Sequence, residues 1–255
     1  MSIQKSTKLQ KIMQFPKGVV LTSSYLETQG IDRQLLARYK KSGWIESIGD
    51  GAYVTRGDKV DWQGALYAMQ SQLKLPVHCG ARTALELQGY SHYVASKTRE
   101  VFLFGPAGQK LPLWFGKYNW NVSFTYKMTS LFLHSVSAGY MNFPWGDFSI
   151  QISSPERAAM EMLYHVPDKQ GFDEAMKIME LLLSLRPELV QKLLESCASI
   201  KVKRLFLYMA QAANLPFAAK LNLKKVNLGK GDRTVVKGGR LDPQYRITVP
   251  RGGDA

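Results

Sequence analysis

The sequence predicts a mixed α+β chain. A winged helix-turn-helix domain spans residues 1–60, and a larger mixed α/β C-terminal domain spans residues 61–255. Three observations carry this reading. The first 60 residues are short amphipathic runs broken by glycine, ending in a hairpin pattern. The remainder mixes amphipathic helices with short segments rich in Val, Phe, Tyr and Ile. At 255 residues, 45% hydrophobic and 11% aromatic, the chain can bury one large core or two ordinary ones.

Lys5–Gln14 reads as a helix with Leu9, Ile12 and Met13 on one face, ended by Pro16-Lys17-Gly18. Val19-Val20-Leu21 is a short apolar entry. Thr22-Ser23-Ser24 supplies caps for a second helix through Thr28, broken at Gln29-Gly30. Asp32 caps a third helix, Arg33–Lys41, with Leu35, Leu36 and Tyr39 inward. Arg33, Gln34, Ala37, Arg38 and Lys41 are left facing outward. Ser42-Gly43 ends this helix. Trp44–Ile48 alternates as a strand, Gly49-Asp50-Gly51 makes a tight turn, and Ala52–Thr55 returns.

Asp61–Leu73 opens the second region as a helix with Trp62, Leu66, Met69 and Leu73 at helical spacing. Pro76–Cys79 is extended, and Ala81–Gln88 is a helix closed by Gly89. Strands are expected at Glu100–Phe104, Asn121–Lys127, Ser130–Val136 and Asp147–Ile152. Ser154-Pro155-Glu156 opens a helix to about His165, with Pro at its first position. Phe172–Leu185, Pro187–Ala198 and Val202–Ala213 are further helices. The last has Val202, Leu205, Met209 and Ala213 inward and Lys201, Arg204, Tyr208 and Gln211 outward. The tail, 221–251, reads as short strands, Thr234–Val236 and Tyr245–Val249 among them, joined by basic turns.

Charge sets the partner class. The net charge is +14. Residues 1–60 hold 10 Lys and Arg against 5 Asp and Glu, residues 61–199 hold 12 against 12, and residues 200–255 hold 12 against 3. A neutral middle with basic ends fits a polyanion, and nucleic acid releases counterions on binding. A basic surface without a nucleic-acid role is the alternative. The third helix is placed to enter a major groove. The expected DNA-binding residues are Ser23, Ser24, Arg33, Gln34, Arg38, Lys40, Lys41, Ser47 and Arg56. A second contact, with nucleic acid or with a partner protein, is expected at Lys224, Lys225, Lys237, Arg240 and Arg246.

Other classes are disfavoured. No apolar run approaches the roughly 20 residues of a membrane span, and the N-terminus lacks the apolar stretch of a secretory signal. A cytoplasmic protein with no membrane partner is expected. Cys79 and Cys197 are too few for a disulfide framework. His78, His92, His134 and His165 show no ligand spacing, so no metal is expected. No P-loop, dinucleotide fingerprint or nucleophile elbow is present, so neither cofactor nor catalytic residue is assigned. Glu156 and Glu161 lie five apart and do not form a same-face carboxylate pair. Asp58-Lys59 and Asp168-Lys169 supply nuclease residue types without a cluster around a metal. Tyr118, Trp120, Phe124 and Tyr126 alternate as a base-stacking platform would, with core packing the favoured alternative.

Particular runs resemble the AbiEi-type antitoxins of type IV toxin–antitoxin and abortive-infection systems. They are GVVLTSSYLETQGI at 18–31, YKKSGWIESIGDGAYVTRGDKVDWQGALYAMQSQL at 39–73 and LPVHCGARTALELQGYSHYV at 75–94. ISSPERAAMEML at 152–163 and VVKGGRLDPQYRITVPR at 235–251 extend the likeness to both ends. The resemblance implies a transcriptional repressor, not an enzyme. Its winged helix binds double-stranded operator DNA at promoter repeats of its own operon. Its C-terminal domain counters a nucleotidyltransferase-like toxin, with direct binding to that toxin left open. The rival class is a nuclease-like, nucleic-acid-processing enzyme carrying an N-terminal DNA-binding module.

Overall fold

The structure is a computed structural model that describes residues 3–90, 100–132 and 138–251, with backbone only over 3–7. It is mixed α+β and divides into two compact units. The first comprises Met1–His78, Gly105–Ser123 and Asn142–Gln151; the second comprises Cys79–Phe104, Phe124–Met141 and Ile152–Ala255.

The first unit begins with α1 (Ile3–Met13), β1 (Leu21–Thr22), α2 (Ser23–Thr28) and α3 (Arg33–Lys41). A hairpin of β2 (Ile45–Gly49) and β3 (Ala52–Thr55) follows, and β1 joins it to give an antiparallel sheet in the order β1-β3-β2. The core holds Ile12, Val19, Leu21, Leu26, Ile31, Leu35, Leu36, Tyr39 and Ile45, so the inward face expected of α3 is the buried one.

Local chemistry fixes both ends of α3. The Asp32 carboxylate accepts from the Leu35 N–H at 2.8 Å, satisfying a donor the helix leaves open. At the other end Gly43 takes φ +73°, a left-handed value that glycine adopts without strain. Its N–H donates to the Lys40 carbonyl at 3.1 Å, and the Trp44 N–H donates to the Tyr39 carbonyl at 2.9 Å. This pair of bonds is a Schellman turn.

The helix expected over 61–73 is instead α4 (Trp62–Tyr67) running into a π-turn at Ala68–Gln72. The wider turn points two amides at strands. Gln72 accepts from the Thr22 N–H at 2.9 Å and donates to the Val20 carbonyl at 2.7 Å, pairing with β1 as a strand would. Gln70 donates to the carbonyls of Val77 and Gln151 and accepts from the Gln151 N–H. α4 also lies against backbone: a Cβ at Gly64 would stand 1.8 Å from the Gly18 carbonyl oxygen.

Along the rest of the chain come β4 (His78–Cys79), α5 (Ala81–Leu87), β5 (Glu100–Gly105), α6 (Leu113–Lys117), β6 (Ser123–Met128), β7 (Tyr140–Trp145) and β8 (Phe148–Ser153). These strands form a sheet in the order β6-β5-β4-β8-β7. Then follow α7 (Pro155–Tyr164), α8 (Phe172–Glu180), α9 (Pro187–Ser196), α10 (Ile200–Ala212), 3₁₀ turns at Pro216–Lys220 and Leu223–Lys225, β9 (Arg240–Asp242) and β10 (Ile247–Val249).

Several expectations need correction. The helix at 172 stops at Glu180 rather than Leu185. Over 130–132 there is only an isolated bridge from Phe132 to Cys197, and the rest of that expected strand lies outside the described residues. Thr234–Val236 is not a strand; the Val235 and Val236 N–H groups donate to the Thr248 hydroxyl. α6 and β7 had no sequence counterpart.

Arg204, expected outward, is 2% exposed. Its guanidinium donates to the carbonyls of Leu228, Gly229, Gly231 and Arg246 at 2.6–3.1 Å and so ties the tail to α10. Glu156 and Glu161 are both buried, each with its own arginine. Glu161 accepts from Arg157 at 2.8 Å, the Ser153 hydroxyl at 2.7 Å and the Ala81 N–H at 3.2 Å. The Arg157 guanidinium also stacks on Phe132 and Tyr140, 4.4 and 4.2 Å from their centroids.

Candidate nucleic-acid interface

The outward surface of α3 is basic and polar. Arg33, Gln34, Arg38, Lys40 and Lys41 are all exposed, opposite buried Leu35, Leu36 and Tyr39. No acidic residue lies within the helix, and Arg38, Lys40 and Lys41 sit in its last turn. There they complement the negative end of the helix dipole. Arg33 meets Glu27 of α2 at 3.1 Å, an exposed pair that costs little to break.

The remaining expected residues take different places. Ser24 is exposed on α2, whereas Ser23 is half-buried and its N–H donates to the Gly51 carbonyl at 2.8 Å. Ser47 is exposed and its hydroxyl donates to the Gly49 carbonyl. Arg56 follows β3 and sits at the base of the hairpin, away from its tip, where its N–H donates to the Trp44 carbonyl at 3.0 Å. Its guanidinium lies over Gly43: a Cβ there would come within 2.7 Å of it.

The tip itself is held. Gly49 packs against Trp114 of α6, where a Cβ would come within 2.7 Å of the Trp114 Cβ. The exposed charge at the tip is Asp50, while the exposed Glu46 pairs with Val54 near the hairpin base. The residue that charge-based reading passed over is Trp44, 45% exposed between α3 and β2. Its signal was its place, directly after the glycine that ends a basic helix.

In the second unit Lys224 and Lys225 are exposed on a 3₁₀ turn, and Lys237, Arg240 and Arg246 are exposed along the tail. Arg246 pairs with Asp232 at 2.8 Å.

Groups that could do chemistry have structural duties. Asp58 accepts from the Gly18 N–H at 2.7 Å. Burial raises the Cys197 thiol to about 11, and Cys79 is buried beside His78. His92 and His134 lie outside the described residues. Among the described residues no group of three or more His, Cys, Asp or Glu side chains is placed to hold a metal ion. Trp120 is buried and donates to the Phe115 carbonyl, while Tyr118, Phe124 and Tyr126 are half-buried. No described helix is long and apolar enough to cross a membrane.

A crystal structure of the RV2827C protein from Mycobacterium tuberculosis is similar in fold, with a TM-score of 0.63 at 14% identity. The match covers 96% of this chain and 90% of that one. No curated protein matches the chain. Residues 5–96 match the family model for the N-terminal domain of the AbiEi antitoxin transcriptional regulators. Residues 98–250 match the model described as transcriptional regulator, AbiEi antitoxin, type IV toxin–antitoxin system. The chain therefore belongs to the AbiEi family of antitoxin transcriptional regulators of type IV toxin–antitoxin systems.

Proposed function

We propose that residues 1–60 act as a winged helix-turn-helix that binds double-stranded operator DNA in the promoter of the chain's own operon and represses it. The observation that carries this is α3: five exposed cationic or amide side chains, no acid, and an apolar face locked into the core. Gln34 and Arg38 stand one helical turn apart, and Lys41 follows. Arg suits guanine and Gln suits adenine in the major groove. Residues 61–255 then counter a nucleotidyltransferase-like toxin, and no catalytic role is assigned.

The test is a footprint on the DNA upstream of the chain's gene, followed by mobility shifts with Arg38→Ala. A lost base contact should cost about 1–3 kcal/mol and relax specificity at one position. Equal loss on operator and scrambled DNA would make Arg38 a phosphate contact instead.

The tail is the second basic surface. Lys224, Lys225, Lys237, Arg240 and Arg246 stand on a segment anchored by Arg204 and supply either further phosphate contacts or the surface that meets the toxin. Replacing Lys237 and Arg240 together should lower operator affinity, protection from the toxin, or both. A reporter-gene assay paired with toxin co-expression measures the two separately, and a double variant normal in both would leave the tail as solvated surface.

A further inference from the structure

We propose that Trp44 and Arg56 form a clamp on the DNA backbone at the C-terminal end of α3. The indole packs on a deoxyribose, its Nε1–H reaches that nucleotide's phosphate, and the guanidinium takes the neighbouring phosphate. The proposal rests on the DNA-binding reading above and adds a contact that carries no charge.

Position comes first. The Schellman turn at Gly43 fixes where the chain goes after α3, and the 2.9 Å bond from the Trp44 N–H to Tyr39 fixes Trp44 itself. Arg56 faces it across the hairpin base through the bond from its N–H to the Trp44 carbonyl. The missing Cβ of Gly43 gives the guanidinium its seat. The two side chains therefore stand on a rigid corner, not on a mobile loop.

Exposure and surroundings come second. Trp62, Trp114 and Trp120 are 4–7% exposed, whereas Trp44 is 45% exposed. A single exposed apolar residue is ordinary by itself. Here the exposed charged residues near Trp44 in the chain and across the hairpin base are Arg38, Lys40 and Lys41 in the turn before it and Arg56 opposite, against the single acid Glu46 two residues after it. An apolar face among cations does not suit an apolar protein partner. It suits a polymer that alternates anionic phosphate with an apolar sugar face. Tryptophan offers a large ring plus one donor and no acceptor, matching that alternation.

The far end of the hairpin does not compete for this contact. Its exposed charge is the acid Asp50, its Gly49 is held by Trp114, and its Gly51 carbonyl accepts from Ser23. Glu46, exposed in β2 next to the base, bounds the basic surface on that strand, and the cations lie on the α3 side of it.

The experiment uses the full chain, with Trp44→Ala, Trp44→Phe and Arg56→Ala, on operator and scrambled duplexes across a salt series. Trp44→Ala should weaken binding to both duplexes by about tenfold. It should leave the slope of log K against log salt unchanged, because a neutral contact releases no counterion. Arg56→Ala should lower that slope by about one unit. Trp44→Phe should keep part of the affinity. The share of acrylamide quenching that Trp44→Phe removes should also fall when DNA is bound. An unchanged melting temperature shows that Trp44→Ala is folded.

Wild-type affinity of Trp44→Ala for both duplexes, or quenching of Trp44 unaltered by saturating DNA, overturns the clamp. A loss confined to the operator overturns the backbone assignment in favour of base contact. A wild-type chain that binds neither duplex at low salt overturns the DNA-binding reading itself, a result distinguishable from the others.

Discussion

His165 is a buried histidine with an acid-sensitive role. Its ring sits edge-on to Phe102 and Phe104, 4.9 and 5.6 Å between centroids. Its Nε2 has no hydrogen-bond partner among the described residues. Burial first, then the nearby Lys127, lowers its pKa from 6.5 to about 4. A depressed folded value means that protons bind the unfolded chain more readily. Stability is therefore complete above the unfolded value and falls with pH from about 6.5 down to about 4. His165→Phe should flatten melting temperature against pH across that window, and an unchanged profile would remove His165 from the account. Glu156 acts lower on the scale. Burial raises its pKa, but hydrogen bonds from Arg186 and Ser154 outweigh that and hold it below the usual carboxylate value. Its contribution is lost progressively as pH falls from the usual carboxylate value through that depressed one. Gly64 gives a second residue-scale prediction. Gly64→Ala drives a methyl into the Gly18 carbonyl, so one of the two backbones must shift. We expect a loss of about 1–3 kcal/mol in chemical denaturation, and a neutral variant would show that the α4 contact is plastic. At this scale the sequence announced identity but not duty: it displayed a lone histidine and a helical glycine, while the rings and carbonyl beside them come from distant segments.

At the scale of elements, α3 and its hairpin were legible because each carries its own instructions. Asp32 starts the helix, Gly43 stops it, and Gly49-Asp50-Gly51 turns the strands. β7 was not legible. Asn142, Pro144 and the flanking glycines read as loop, yet an edge strand tolerates proline where no ladder donor is needed. α6 was too short, at five residues, to show a period. α10 misled for the opposite reason. Its apolar stripe at Val202, Leu205 and Met209 is real, but the helix is buried all round from Val202 to Leu207 because the tail returns over its outer side. Periodicity describes one face and says nothing of a later segment covering the other. Arg204 is the fastening. Lysine cannot bridge four carbonyls that a planar, five-donor guanidinium spans. Arg204→Lys should cost about 2–3 kcal/mol and accelerate tryptic cleavage at Lys230 and Arg233. Wild-type cleavage rates would mean that β9 and β10 hold the tail unaided.

For the molecule as a whole, the proposed DNA-binding segment is not self-contained. Gln72, Gly64 and Trp114, which brace β1, the Gly18 turn and the hairpin tip, all lie beyond residue 60. A fragment of residues 1–60 should melt well below the full chain, followed by circular dichroism, and should repress weakly in a reporter assay. A fragment as stable as the full chain would make those braces dispensable. The glutamine of the π-turn carries one further consequence, for solubility. β1 is an outer strand, and its free side is occupied by an amide group where a neighbouring strand would otherwise lie. The sheet ends in a side chain, and so offers other copies of the protein no template there. Removing that amide, or deleting one residue to turn the π-turn back into an ordinary helical turn and swing it away, leaves the strand's N–H and C=O groups open. The damage would then show as aggregation that grows with protein concentration, in a molecule whose own fold is still intact.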